Sequence, residues 1–446
     1  MTVPTVQRGN PRRLTLIAAM STVIGLVSAV SLVVGPAAGA PEPVITGSTL
    51  IAFAFGWACL AGLSTRFTSQ PQRWAFVPAA SLAVVGLGLI ATAPRSDAID
   101  MLGWVWPPAL LILVGWMALS VRRHVAGRTR WLVYPLVGAL ALSSVGGAVE
   151  TILEQGQHGT LTATGQLVDI GGRRMHIECT GTGSPTVVLQ SGAGEASYYW
   201  ARIASAVSAT TRVCAYDRAG HGGSDPSTAS QDGNAVAADL HALLAASGIA
   251  GPYILVGHST GGPFIRIFAA TYPAEVAGMV FLDAQPADAF TALPQYAGMY
   301  PALAMVTAIT QPFARVGVMR LANGAAFGDL PELARAAQQA YQSSGRAASA
   351  LRDDFAAIPA TLREALALTT IGSRPLVVVT AAAGAQAGWV EAQRDMLALS
   401  TDSASRVAQD QTHDSLIMSE TGSAFSTRAI LDVLESARTG LAVATR

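Results

Sequence analysis

Five long apolar runs fill the first third of this chain, and shorter alternating runs fill the rest. The long ones are Leu14 to Val34, Val44 to Leu63, Trp74 to Ala93, Met101 to Val121 and Trp131 to Val149. Each has roughly the 20 residues needed to cross a hydrocarbon core of about 30 Å. Buried core helices are the plain alternative. Five uncharged runs in succession, joined by short Arg- or Pro-containing loops, favour membrane spans instead. From about Gly165 the pattern becomes short β-branched runs, Gly-rich turns and Ala-rich helical stretches, as in a soluble α/β domain. The pattern therefore predicts a transmembrane domain of about five helices over residues 1–155, a linker over 156–164 and a soluble domain over 165–446.

Charge gives this arrangement a direction. Arg8, Arg12 and Arg13 precede the first span, Arg66 and Arg73 lie between the second and third, and Arg122, Arg123, Arg128 and Arg130 lie between the fourth and fifth. Basic loops stay on the cytoplasmic side, so five spans with the amino terminus inside carry everything after Val149 outside. Trp74, Trp104, Trp106 and Trp131 fall near span ends, where indoles favour the interface. The small-residue stretch Ala38, Gly39, Ala40 could be a signal-peptidase site, but the apolar run before it is long for a signal peptide. Cleavage there would leave four spans and the same final orientation. The spans as bounded above hold no Asp, Glu, Arg or His, which leaves no charged pathway of the kind transporters use.

With 51% of its residues apolar and 13% charged, the chain is too apolar for an ordinary soluble enzyme of 446 residues. Its 28 basic residues, all arginine, balance 28 acidic ones, and no basic patch in the soluble part suggests a nucleic-acid partner. The seven histidines are scattered and form neither H-E-x-x-H nor a Cys/His cluster, so neither a metal nor another cofactor is expected.

The soluble part reads as a hairpin, Gln166 to Ile170 and Arg174 to Cys179 around Gly171 and Gly172. Strands follow at Pro185 to Gln190, Thr211 to Tyr216, Tyr253 to Val256, Gly278 to Leu282, Pro375 to Thr380 and Ser405 to Ala408. Helical stretches separate most of the later strands, which predicts a largely parallel, doubly wound sheet. The pentapeptide Gly257, His258, Ser259, Thr260, Gly261 follows one strand and precedes a helix-compatible stretch. In that context a serine on a sharp turn projects its hydroxyl from the sheet, whereas elsewhere the same letters are an ordinary Gly/Ser turn.

Taken with Ser191 to Gly194 (S-G-A-G), Tyr216 to Asp225 (Y-D-R-A-G-H-G-G-S-D), Gly257 to Gly262 (G-H-S-T-G-G), Phe281 to Ala284 (F-L-D-A) and Gln411 to Asp414 (Q-T-H-D), the chain from about Gly165 onward resembles the α/β-hydrolase superfamily. The resemblance implies a doubly wound, mostly parallel sheet with Ser259 as nucleophile. It also implies a base late in the chain, in the order serine, acid, histidine. His413 meets that order; the other histidines fall in a cytoplasmic loop, the linker, the hairpin, the Gly-rich loop or a helix, or, as His258, beside the serine and directed elsewhere. Many relatives carry the acid after the strand ending here at Thr380, but Ala381 to Val390 holds no carboxylate. Asp283, at the end of the preceding strand, is the expected acid, with Glu391 and Asp395 as fallbacks that also read as a solvated helix face. The resemblance places two oxyanion donors at the amides of Thr260 and Ala193. Asp217 and Arg218 read as an ion pair fixing their loop.

About ninety residues between Asp283 and Pro375 are too many for a connection in a compact sheet. They resemble a helical cap, about 285–373, that would shape an apolar acyl or alcohol pocket; a moderately hydrophobic ester is the leading substrate class, and the cap sequence leaves a small ester, a lipid and an amide open. The strand order of the superfamily makes the strands bearing Cys179 and Cys214 neighbours, and so implies a disulfide between them if the domain lies in an oxidising compartment. Cys59, inside the second span, should stay a thiol. Three functions remain open: a membrane-anchored extracytoplasmic serine esterase in contact with lipid, a perhydrolase or haloperoxidase-like enzyme, and a non-catalytic extracytoplasmic binding module on a degenerate hydrolase fold.

Overall fold

The computed structural model describes residues 11–125, 127–162, 164–227 and 229–443. The chain divides into two compact units. One holds the residues through Gln155 together with Met305–Val318, and the other holds Gly156–Ala304 and the chain from Met319 onward.

The first unit is helical: α1 (Pro11–Val34), α2 (Glu42–Phe67), α3 (Phe76–Thr92), α4 (Ser96–Leu102), α5 (Trp106–His124) and α6 (Arg130–Leu161). Four stretches are long and apolar enough to span a bilayer: Arg12–Val34, Glu42–Phe67, Arg73–Thr92 and Gly127–Gln157. The fourth expected span, Met101 to Val121, is instead a bent pair, α4 and α5 meeting at 46°. Pro107 and Pro108 explain the break, because proline fits the first turn of a helix and cannot continue one from before. Thr151 Oγ1 donates to the carbonyl of Gly103 at the break, at 3.2 Å, satisfying a polar group that hydrocarbon could not. On α1, Leu16, Met20, Val23, Val27, Val30 and Val34 are exposed at three- and four-residue intervals, an apolar stripe suited to lipid. On the opposite side of the packing problem, a Cβ added to Gly47 of α2 would lie 2.7 Å from the carbonyl oxygen of Gly86 on α3, so this close crossing depends on small residues. Helix α6 continues well past Val149, so most of the expected linker is helical. Arg8, used in the topology reading, lies outside the described residues.

Arg315 also belongs to this unit, although it comes from the chain after the sixth strand. Its guanidinium lies 2.9 Å from Glu42 Oε1, contacts Asp100 Oδ1 and lies 3.9 Å from Glu154 Oε2. The three carboxylates come from the start of α2, from α4 and from the late part of α6. They gather at one end of the helices, whereas Arg66, Arg73, Arg122, Arg123, Arg128 and Arg130 lie toward the opposite ends.

The second unit is built on eight strands: β1 (Gln166–Asp169), β2 (Arg174–Thr180), β3 (Thr186–Gln190), β4 (Val213–Tyr216), β5 (Tyr253–His258), β6 (Val276–Leu282), β7 (Leu376–Ala381) and β8 (Ser403–Ala408). Their order is 1-2-4-3-5-6-7-8, antiparallel for β1–β2 and β2–β4 and parallel elsewhere. Period-2 alternation sends Val188, Leu255, Phe281 and Val378 to one face, where they pack with α8 (Gly233–Ala246) and α9 (Gly261–Thr271). Val187, Val256, Val280 and Val377 go to the other face, against α7 (Ala201–Ser208) and the last helix (Glu420–Thr439). Both faces are apolar because both are covered.

Between β6 and β7 run α10 (Ala289–Ala292), α11 (Pro294–Arg315), α12 (Val318–Ala322), α13 (Glu332–Gln342) and α14 (Gly345–Ala365). Three helices remain: α15 (Trp389–Asp395), α16 (Ser415–Met418) and α17 (Glu420–Thr439). Cys179 and Cys214 are directly opposed in the β2–β4 register, with Cα atoms 4.1 Å apart, and form a disulfide; Cys59 is a free thiol. Alkylation of denatured, unreduced protein should therefore modify Cys59 alone, and modification of all three cysteines would reject the bridge.

Candidate active site

The candidate nucleophile stands where β5 turns into α9. Ser259 has φ of 55°, a left-handed conformation that a side chain normally avoids and that the surrounding turn must enforce. Its N–H donates to the carbonyl of Leu282 at 3.3 Å, and its carbonyl accepts from Gly262 and Gln285. A Cβ on Gly261 would lie 2.3 Å from the carbonyl oxygen of Gln190, so the second glycine of the pentapeptide is required for the helix to start this close to β3. Among the described residues Ser259 Oγ makes no hydrogen bond, as is common for a catalytic contact that tightens only around substrate.

Asp283 and His413 come together, as expected from the sequence. His413 Nδ1 lies 2.6 Å from Asp283 Oδ2. The carboxylate is almost wholly buried at 5% exposure, whereas the imidazole is 41% exposed, as suits a group that must meet a substrate. Asp283 is itself held in a left-handed conformation, φ 44°, with its N–H on the carbonyl of Val379 at 2.7 Å. Its second oxygen accepts from the N–H of Ala381 at 3.0 Å and from Trp389 Nε1 at 2.7 Å. Glu391 and Asp395 are exposed on α15, and the residue of that helix that reaches the acid is Trp389.

The loop leaving β3 lies against the serine: a Cβ on Gly192 would lie 2.7 Å from that of Ser259. Its polar backbone is clamped by side chains. Arg218 donates to the carbonyls of Ser191 and Gly192 at 2.6 and 2.9 Å, Glu195 Oε2 accepts from the N–H of Gly192 at 2.6 Å, and Asp354 Oδ2 accepts from that of Gly194 at 2.8 Å. Trp200 Nε1 donates to Ser191 Oγ at 2.9 Å. Among the described residues, the N–H groups of Ala193 and Thr260 have no acceptor, the state expected of donors kept for an oxyanion.

One expectation is corrected here. Asp217 and Arg218 do not pair with each other. Adjacent residues on extended backbone point to opposite sides. Asp217 accordingly binds His176 Nδ1 at 2.9 Å and the N–H groups of Ser197 and Gly223, while Arg218 binds Asp354 of the inserted helix α14 at 2.7 Å. Burial opposes ionisation of Asp354, yet Arg218 and His221 beside it hold its carboxyl down at about 2. Glu195, Trp200, Asp354 and Trp389 carry no motif that singles them out; only their proximity in the fold does. A narrow cavity beside Thr260 is lined by Pro263, Phe264, Ile358 and Leu362, with Gln285, Asp354 and Thr361 as its other polar members. A wider cavity of about 320 Å³, at His241, Tyr253 and Glu275, lies at the opposite, amino end of β5 and β6, away from the serine.

The sheet order, the serine turn and the late histidine define the α/β-hydrolase fold. Residues 185–355 match the family model described as alpha/beta hydrolase fold. The Cif epoxide hydrolase from Acinetobacter nosocomialis superposes with a TM-score of 0.52 at 15% identity, over 64% of this chain and 96% of that one, a likeness of fold. In sequence, the protein named "Probable transporter efuK" of Hormonema carpetanum is 33% identical over 136 residues, 29% of this chain and 20% of its own length. The one named "Putative carbamate hydrolase RutD" of Escherichia coli O9:H4 (strain HS) is 36% identical over 102 residues, 22% and 38% respectively. The matched stretch thus spans well under half of either curated relative.

The geometry gives a ranked expectation for the acid. Asp283→Asn should lower kcat by roughly 10⁴-fold, because an amide cannot hold the productive tautomer of His413. Glu391→Gln and Asp395→Asn should leave steady-state rates nearly unchanged. A crippling effect of Glu391→Gln would transfer the acid role to α15.

Proposed function

We propose that the soluble unit is a serine hydrolase that cleaves carboxylic esters through an acyl-enzyme on Ser259. The observation that carries this reading is the 2.6 Å contact between His413 and Asp283, residues 130 apart in sequence, at the sheet end where the strained serine stands. With Nδ1–H given to Asp283, the neutral ring presents its lone pair on Nε2. Nε2 takes the proton of Ser259 Oγ as the oxygen attacks the acyl carbon. The developing oxyanion accepts from the N–H groups of Thr260 and Ala193, each donor of this kind contributing on the order of 3 kcal/mol in the transition state. His413 then gives its proton to the departing alkoxide, and water repeats the sequence to release the acid. Asp283 stays ionised throughout and stabilises the imidazolium.

The apolar side chains of Pro263, Phe264, Ile358 and Leu362 beside Thr260 favour a moderately hydrophobic ester as substrate. The helices of the first unit act as the anchor in contact with lipid. The arginines clustered at one end of those helices, and the disulfide in the sheet, support an extracytoplasmic hydrolase unit.

Ser259→Ala should abolish hydrolysis of short acyl esters and labelling by a fluorophosphonate, while the disulfide and membrane insertion stay intact. Undiminished turnover in that variant would remove the serine-hydrolase reading. A carbamate in the same substrate panel tests the bond type suggested by the relative's name. In intact cells, a membrane-impermeant fluorophosphonate should label the wild-type chain as fully as it does after lysis; labelling only after lysis would place the unit inside.

A further inference from the structure

A second buried carboxylate and imidazole lie beside the first pair, and the reaction as written leaves them without a part. His258, the last residue of β5, is fully buried, with Nδ1 2.8 Å from Glu195 Oε1. On the other side of the ring, Nε2 lies 3.1 Å from the main-chain carbonyl oxygen of His413. A carbonyl can only accept, so Nε2 carries a proton; Nδ1, facing a carboxylate, donates as well. A ring donating from both nitrogens is an imidazolium. The other oxygen of Glu195 holds the N–H of Gly192 at 2.6 Å, so one ion pair touches the serine strand, the oxyanion loop and the turn bearing the base. The rings of His258 and His413 are 4.5 Å apart between centroids.

Resting on the serine-hydrolase reading above, we infer that Glu195 and His258 are a pair of positioning residues that hold the oxyanion loop and the main chain of His413 in fixed relation to Ser259. A well-packed apolar pair could fill the same space at a lower desolvation cost. It could not supply an acceptor to Gly192 and a donor to the His413 carbonyl at once, and those two bonds are what the ion pair adds.

The charge state supports the geometry. Burial pulls the His258 imidazole down, but the Glu195 carboxylate outweighs it and the net position is about 9. Glu195 is correspondingly lowered: burial opposes that shift, and His258 overcomes it. The charged or titratable groups facing the pair are His413 and Asp414 from the turn after β8, and the Tyr199 hydroxyl, which burial and nearby carboxylates keep neutral. Since His258 sits above its ordinary 6.5, its contribution is complete below that value and is lost as pH rises through about 9.

The test uses the full-length chain in detergent, with kcat and KM for a short aryl ester measured from about pH 5 to 10. Glu195→Gln leaves one acceptor for two donors. It should lower kcat by up to about 10²-fold, the scale of a small misplacement of reacting groups, with little change in KM. The alkaline fall of the wild type near pH 9 should move below about pH 7, toward the ordinary histidine range. His258→Gln, whose amide nitrogen reaches the place of Nε2, should retain more activity than His258→Leu and lack the alkaline fall. An unchanged kcat and profile in Glu195→Gln, or equal activity in His258→Gln and His258→Leu, would overturn the inference; so would a loss confined to KM. Nitrogen-15 histidine spectra give a readout free of turnover: His258 should stay doubly protonated to about pH 9 in the wild type and not in Glu195→Gln. If the wild type takes no fluorophosphonate while this signature holds, the serine-hydrolase reading fails and the ion pair stands; a neutral His258 in an active enzyme fails the inference alone.

Discussion

The chain leaving β3 must cross directly over Ser259, where neither helix nor sheet can satisfy its peptide groups, and the surrounding side chains are organised around that need. A buried N–H or C=O without a partner is costly. Here charged side chains do the satisfying: Arg218 for two carbonyls, Glu195 and Asp354 for two amides. Buried charges are themselves tolerated only when fully paired. That requirement draws in His258 for Glu195, and Arg218 with His221 for Asp354. The loop, the strand carrying the serine, the Gly-rich turn after β4 and an inserted helix are thereby tied into one network, and the amide of Ala193 is what the network leaves unspoken for.

The position of Asp283 follows from a similar constraint at the next strand end. Asp283 continues the ladder by one residue, giving its N–H to Val379, and then turns its carboxylate back to cap the amide of Ala381. One carboxylate thus terminates β7 and orients His413. Ala381 to Val390 holds no carboxylate, and the one that meets His413 comes from the end of β6 instead. The indole of Trp389 donates to the same oxygen that caps Ala381, leaving the other to His413.

Much of this was legible in the sequence because it is local. The serine turn declares itself by glycines that a helix start and a neighbouring strand cannot do without, and the strands by period-2 alternation on two covered faces. The late histidine and the opposed cysteines needed a strand order, which the resemblance provided. What stayed hidden depends on residues distant in sequence. Nothing near Glu195 announces that its partner lies 63 positions away, and nothing in α14 marks Asp354 as a ligand of the oxyanion loop. The pairing of Asp217 with Arg218 looked natural by adjacency and failed for the same reason that strand neighbours face apart. The fourth span looked continuous by hydropathy, which does not register that Pro107 and Pro108 interrupt the hydrogen-bond ladder.

The cluster around Arg315 sets an order in time. Glu42, Asp100 and Glu154 emerge from the ribosome with the apolar helices, but the guanidinium that bridges them is encoded beyond the sixth strand of the sheet. During synthesis Arg315 becomes available to these carboxylates only after six of the eight strands have been delivered. The helical unit is therefore completed by a residue from the later part of the chain, and a chain truncated after its last long apolar helix would lack that bridge.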